Sequence, residues 1–435
     1  MLPLSYEPLQ ATIQYLDSNI RFQLSIRCPS IKATEKLVPL KLSHLPLANC
    51  NTTVNNTSYQ LEIIQDVHPG EVIPEFDHTN TGVKPIQRDI DRHGFNDLSD
   101  INLMTPGDLN LRDEEHRMED VFDRGSQRNE LYHNNQLRQA EISLRAIQAD
   151  FERVGVFRNL EFLRYILNII DDCATNLEPY HLRRENAPPR YTLFIKFTID
   201  SGYEKYTEIL VYNRKIHEVL KYLNTLLFGN RRQAISVNML ALEDQKHIYR
   251  LPVDFKVKVK ELKSEFIDFN ELNGTIEFAE RYKMTVGYAI DRRQLLRQQL
   301  YQRAQQLTFI PLKGRYDNYD HYFLRAVENL DVRVQELHIN DLIELIRDWL
   351  QNGKPVDSCY AFGLKSRSAA EKCFWKVRSE FKESLTRDRA RYVLLPMRYG
   401  LSQLRVFFER VLRGAKSNNW FKRDWCLKLK VERAD

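Results

Sequence analysis

The run Val332–Leu364, VRVQELHINDLIELIRDWLQNGKPVDSCYAFGL, reads as strand, helix and strand in one short stretch. Val332 to Ile339 is rich in β-branched residues, and Asp341 to Gln351 carries Leu342, Leu345 and Trp349 at the three-then-four spacing of one helical stripe. Gly353 ends that helix, and Val356 to Leu364 returns to strand character, so the stripe with Trp349 is expected to pack onto the second strand. Strands joined by a helix favour parallel pairing, because a parallel neighbour can be reached only through a long crossover.

Working outward, the same alternation covers residues 190–435. Tyr191–Ile199, Ile209–Tyr212, Ile235–Leu242, Phe255–Leu262, Leu307–Ile310, Arg391–Leu395, Leu404–Phe408 and Cys426–Val431 read as strands. Ile216–Phe228, Arg292–Gln305, Tyr322–Asn329 and Ser368–Ser384 read as helices, the first closed by Gly229 as a left-handed cap. Several strand-helix steps recur at about the 20 to 30 residues of leucine-rich repeats. The expected fold class is α/β (or α+β), with a leucine-rich-repeat-like strand-helix domain at the C-terminus. Ahead of it, residues 39–136 read as short strands, Leu40–Leu47 and Tyr59–Ile64, followed by a polar connection too poor in apolar periodicity to join a core. Residues 137–189 read as a long helix or helical hairpin over 137–175, with the stripe Leu137, Ala140, Leu144, Ile147, Phe151 and Val154, weakened at Gly155 and ended by Pro179 and Pro188.

The first 38 residues read as three short helices stopped near Asp17, at Pro29 and at Pro39. Ser5 is the expected cap of the first. Their apolar positions Leu4, Leu9, Ile13, Leu16, Phe22 and Ile26 form a surface too large for such short helices to hide, which marks a protein-binding face.

These residues carry a resemblance. Leu4, Glu7, Leu9, Ile13, Tyr15 and Leu16 stand where an F-box has its motif, with Ser5 in place of the usual proline and Ile31 where a tryptophan is common. The whole chain resembles the nematode-expanded F-box C type family through Pro3–Tyr6, Arg27–Ser30, Val38–Leu40, Leu227–Arg231, Arg250–Pro252, Cys359–Gly363 and Leu395–Met397. The resemblance implies docking of the Skp-type adaptor on the six apolar residues. It further implies a role as substrate receptor of a cullin-RING ubiquitin ligase, holding a protein client whose identity the sequence does not give. A binding or scaffold protein without the ligase link is the alternative.

Composition bounds the rest. The 435 residues are 43% hydrophobic and 28% charged, an ordinary globular balance with length for two or three domains. Net charge is +5 from 64 basic and 59 acidic residues, which argues against nucleic acid as the partner. The counterweight is a basic and aromatic tail, Arg413, Lys416, Trp420, Phe421, Lys422, Arg423, Trp425, Lys428, Lys430 and Arg433. Lys256, Lys258 and Lys260 alternate with Phe255, Val257 and Val259, the pattern of a strand with a solvated face. No leader and no membrane span is read, so a cytoplasmic or nuclear location is expected. The six cysteines lack the short paired spacing of a zinc site or a disulfide framework.

No glycine-rich phosphate loop and no nucleophile elbow occurs, so no catalytic residue, no cofactor and no metal is assigned. Asp317, Asp320 and His321 are the most ligand-like group and read as a polar turn before a helix.

Overall fold

The computed structural model describes residues 6–68, 87–95, 97, 100, 102–112, 127–155, 159–189, 191–243, 247–264, 272, 274–287, 299–310, 321–335, 337–381, 392–398, 400–411 and 424–434. In chain order come helices α1 (Tyr6–Tyr15), α2 (Ser18–Arg27) and α3 (Pro29–Leu37), then strands β1 (Lys41–Ala48), β2 (Asn51–Val54), β3 (Thr57–Val67) and β4 (Leu109–Asn110). Helices α4 (Gln127–Val154) and α5 (Leu160–Glu185) precede β5 (Tyr191–Asp200), β6 (Lys205–Val211) and α6 (Ile216–Phe228). Next are β7 (Ile235–Leu242), β8 (Ile248–Tyr249), β9 (Val257–Ser264), β10 (Ile276–Gly287), α7 (Gln299–Arg303), β11 (Gln306–Ile310) and α8 (His321–Ala326). The chain finishes with β12 (Asp331–Val334), α9 (Ile339–Asn352), β13 (Cys359–Leu364), α10 (Arg367–Glu380), β14 (Tyr392–Pro396), β15 (Ser402–Arg410) and β16 (Trp425–Arg433).

The fold is mixed α/β, in two compact units. The first holds residues 1–47, 231–245 and 256–435, and the second holds 48–230 and 246–255. This division differs from the expected 39–136, 137–189 and 190–435 segments: β5, β6 and α6 fall in one unit with β2 and β3.

In the first unit, β1, β7, β9, β10, β11, β12 and β13 lie side by side in chain order, every neighbour parallel. β16, β15 and β14 continue the row antiparallel. One register column runs Leu45, Leu240, Leu262, Met284, Leu307, Val332, Tyr360, Leu429, Val406 and Val393, each at most 1% exposed. Full burial of such a side chain stabilises by about 1.5–3 kcal/mol, so this column is the spine of the unit.

Helices cover the face that carries it. Phe323 of α8 meets Phe309 at 5.3 Å, Trp349 of α9 meets Tyr360 at 4.8 Å and Phe374 of α10 meets Phe408 at 5.6 Å, all edge-to-face or close to it. Polar side chains tie one crossover to the next. Asn329 Nδ2 donates to the carbonyls of Tyr301 (2.7 Å) and Ala304 (2.9 Å), and both Tyr360 Oη (2.8 Å) and Lys354 Nζ (2.5 Å) donate to the Val327 carbonyl. These buried turns thereby lose no hydrogen bond on leaving water.

Several elements differ from the sequence reading. The strand expected over Val332–Ile339 stops at Val334, because His338 caps α9, its ring accepting from the Asn340 amide at 3.3 Å. Val356 precedes a turn in which Asp357 has φ +70°, so β13 starts only at Cys359. β2 and β10 were not anticipated; in β10 residues 279–282 stand opposite Lys260 alone, and that bulge breaks the two-residue alternation. Gly229 is not left-handed: its φ is ordinary, a Cβ there would lie 2.6 Å from the Thr225 carbonyl oxygen, and Asn230 takes the positive φ of 59°. Of the helix expected over Arg292–Gln305, residues 292–298 lie outside the described ones and 299–303 are helical.

The second unit pairs β2, β3, β5 and β6 antiparallel. α6 is anchored to β2 by Thr52 Oγ1 donating to Asn224 Oδ1 at 2.8 Å. α4 and α5 form a helical hairpin broken at Gly155, φ +75°. Pro179 does not end α5 but lies inside it. The lost donor, worth about 3 kcal/mol, is offset by Leu177 and Tyr180, which bury against Phe95. Among the described residues no helix is long and apolar enough to cross a membrane.

Trp349 is fully buried, and its indole N–H has no partner among the described residues. Trp349→Ala is expected to cost about 3–5 kcal/mol in urea unfolding. Trp349→Phe should retain most of that, since no hydrogen bond is broken; equal losses in the two variants would contradict the packing described.

Candidate functional site

The expected docking residues are divided by the fold. Ile13 and Phe22 are each 2% exposed, Leu9 and Leu16 are half-buried, Ile26 is 52% exposed, and Leu4 lies outside the described residues, as does the expected cap Ser5. Ile13 and Phe22 thus face inward, Phe22 with the Arg231 guanidinium 6.0 Å from its ring centre. Among the described residues of these helices, the large apolar side chains left outside are Tyr15, Ile20 and Ile26.

Behind these helices lies a buried charge cluster. Arg21 Nε donates to Glu35 Oε1 at 3.2 Å, while its Nη atoms donate to the carbonyls of Pro39 and Val38, both at 2.9 Å. Arg21 therefore serves the end of α3, where carbonyls have no helical partner. Arg231 Nη2 donates to both Glu35 oxygens, at 2.8 and 3.0 Å. Lys36 Nζ is 3.8 Å from Glu35 Oε2. Three cations thus surround one carboxylate, and none of the four side chains is more than 7% exposed. Burial lowers the pKa of Arg21 and of Arg231 against the pull of Glu35. It pushes Lys36 down to about 7, helped by Arg231, Lys32 and Arg21 and opposed by Glu35.

The second constellation is a polar cleft in the second unit, about 660 Å³ counted out to its open mouth, bounded by Asp89, Asp97, Asp100, Arg112, Lys215 and His217 among others. Lys215 occupies the cap position of α6 without capping it. Asp89 does so instead, accepting from the Ile216 amide at 2.6 Å, with Tyr212 Oη donating at 2.8 Å and His217 Nδ1 3.1 Å away. A carboxylate there meets the positive end of the helix dipole. Burial, then the Asp89 contact, pushes the Tyr212 phenol up. Lys215 pairs with Asp97 at 3.1 Å and with Asp100; burial would lower its pKa, but the two carboxylates raise it.

Deeper lies Asp108, its side chain fully buried. It accepts from Lys221 Nζ (2.6 Å), Arg250 Nη1 (2.7 Å), the Thr105 amide (2.9 Å) and Thr105 Oγ1 (2.8 Å). Burial would raise its pKa, but these donors together hold it below the ordinary value. Gly107 makes the turn possible, with φ +93° and room for no Cβ, which would lie 2.3 Å from the Pro252 carbonyl oxygen.

The described residues between 87 and 112, within the expected polar connection, are therefore part of this unit, through buried Ile90, Phe95, Leu109 and Leu111 and through the contacts of Asp89, Asp97, Asp100 and Asp108. Apolar residues this sparse give no periodicity; the signal available was Pro106-Gly107-Asp108 as a turn.

The cleft's acids are committed to caps and ion pairs. Cys50 Sγ donates to Asn49 Oδ1 at 3.4 Å, and burial pushes the Cys359 and Cys373 thiols up, away from thiolate reactivity. Among the described residues no His, Cys, Asp and Glu group could hold a metal ion. Asp317 and Asp320 lie outside them, and His321 Nδ1 sits 3.0 Å from Asp341 Oδ1. Of the tail, residues 412–423 lie outside the described ones; Lys428 pairs with Glu409 at 2.5 Å and Lys430 with Glu432 at 3.1 Å. Lys258 and Lys260 are exposed while Val257 and Val259 are fully buried, the two faces expected of that strand.

Two titrations follow. Asp108 has a depressed pKa in the folded state, so its contribution is complete above the ordinary carboxylate range and is lost as pH falls through the folded value. Asp108→Asn should cost about 3–5 kcal/mol near neutrality, with the gap to the parent shrinking in acid denaturation series. Lys36 is depressed from 10.5 to about 7, so between those values the unfolded state binds the extra proton and stability rises with pH. Lys36→Met should flatten that rise and stabilise the chain most at and below neutral pH; an unchanged slope would place the ammonium in solvent.

Residues 215–366 match a family described only as a domain of unknown function, DUF3557, which runs from the start of α6 to the cap of α10. No curated protein and no solved structure gives a significant match to the chain.

Proposed function

We propose that this chain is a protein-interaction adaptor that acts as substrate receptor of an F-box-type cullin-RING ubiquitin ligase and performs no catalysis itself. Helices α1–α3 take the Skp-type adaptor, and the strand-helix unit behind them presents a leucine-rich-repeat-like surface to a client protein. The observation that carries this reading is the N-terminal module: three short helices fastened to the parallel strands by Glu35 and Arg231, with Tyr15, Ile20 and Ile26 left outside. A module tied down by a buried ion pair, with three large apolar side chains still exposed, is suited to hold a partner in a fixed orientation. Strands that lie in space in chain order support the second half of the reading, since such an array offers an extended face.

Co-expression of the full chain with a Skp-type adaptor should yield a complex on affinity purification. Leu9→Asp together with Ile26→Asp should remove the adaptor while leaving the thermal melt near that of the parent. A folded parent chain that never retains the adaptor sinks the ligase assignment.

A further inference from the structure

α4 buries one face and leaves the opposite one open. On the inner side Ala140 is 3% exposed, and Leu137 packs against the cluster of Phe95, Leu177 and Tyr180, the last two from α5. Each residue of a helix advances the side chain by about 100°, so every arginine of α4, Arg128, Arg138, Arg145 and Arg153, falls within about 100° of arc, roughly opposite that inner side. All four are exposed. Leu131 and Ile142, 62% and 52% exposed, share the arc with the exposed Ala146 and Ala149. The acids of the helix, Glu130, Glu141, Asp150 and Glu152, all lie outside it.

These guanidiniums are also little used by the fold. Among the described residues Arg128, Arg138 and Arg145 make no ion pair, and Arg153 reaches Asp150 at 2.7 Å with its side chain 76% exposed. A face that serves only solubility mixes both signs and uses lysine freely, whereas interfaces favour arginine and are poor in lysine. α4 contains no lysine.

We propose that this face of α4 docks an acidic amphipathic helix of another protein. Positions 128, 131, 135, 138, 142, 145 and 149 repeat the three-then-four spacing that a second helix matches along its whole length. The chemistry then names the partner. Arginines here call for carboxylates, which they bind with two parallel hydrogen bonds, and Leu131 and Ile142 between them call for aliphatic side chains. A phosphate backbone would engage the arginines and leave the aliphatic positions uncovered. A lipid surface needs a larger apolar face than two aliphatic side chains and two alanines supply. The proposal does not depend on the ligase reading.

Fluorescence anisotropy on the full chain tests it, with a labelled synthetic helix as long as α4 that carries leucine along one stripe and glutamate on both flanks. A twin peptide has lysine in place of glutamate. The acidic peptide should bind, more weakly as salt rises, and the twin should not. Arg138→Gln with Arg145→Gln removes two exposed ion pairs and should weaken the acidic peptide about tenfold. Arg138→Glu with Arg145→Glu should make the lysine twin the better ligand. Both positions are exposed, so both variants should melt close to the parent. An acidic peptide that does not bind, or that binds the glutamine variant as tightly as the parent, overturns the proposal. A DNA duplex or anionic vesicles bound by the parent and lost in the glutamine variant, with the acidic peptide unbound, overturn it as well and assign the face to a phosphate-bearing ligand.

Discussion

Parallel pairing is the constraint on which the first unit depends. A parallel strand cannot be reached by a tight turn, so every step from β9 to β13 requires a crossover, and every crossover must deliver the next strand in phase with the last. A slip of one residue would carry an entire strand's apolar set to the wrong face. The column from Leu45 to Val393 shows that no such slip occurs, and β10 shows what keeping phase demands, since its four-residue bulge at 279–282 restores register opposite Lys260. The helices are then placed by the column: Trp349, Phe323 and Phe374 can meet Tyr360, Phe309 and Phe408 only because those rings all face one way.

Two buried carboxylates do for distant segments what register does for strands. Glu35 gathers Arg21 and Arg231, and Asp108 gathers Lys221 and Arg250. Each ion loses several kcal/mol of hydration on burial, which the pairing roughly offsets, so such clusters add little net stability over apolar packing. Their effect is on which segments can meet: removing one partner strands the others as uncompensated charge. Hence Arg231, at the end of the block Leu227–Arg231, matters to the N-terminal helices although it lies far from them in sequence.

Where local pattern and tertiary packing agree, the sequence was legible. Ile216–Phe228 and Ile235–Leu242 have the bounds their periodicity predicts, and the stripe of Leu342, Leu345 and Trp349 is buried as read. Legibility failed where packing outweighs local preference. Pro179 continues a helix that its ring should end, because Tyr180 and Leu177 have Phe95 to bury against. The described residues between 87 and 112 join a core through scattered contacts that leave no period to detect, and the aspartates that build the cleft look in sequence like ordinary loop acids. Of the six expected docking residues, the helical stripe located the apolar positions but could not tell which of them face inward. That depends on the partner surface behind Arg21 and Glu35, not on spacing.

The charges of the late strands bear on what the open side of the sheet can bind. Binding of a phosphate backbone draws its free energy from counterion release, which requires cations not already neutralised by the protein. Lys428 has Glu409 at 2.5 Å, Lys430 has Glu432 at 3.1 Å, and Arg405 has Glu432 at 3.6 Å while its guanidinium lies over Tyr392 and Phe407. Lys428, Lys430 and Arg405 are thus occupied with acids and rings of their own strands, while residues 412–423 of the basic and aromatic tail lie outside the described ones.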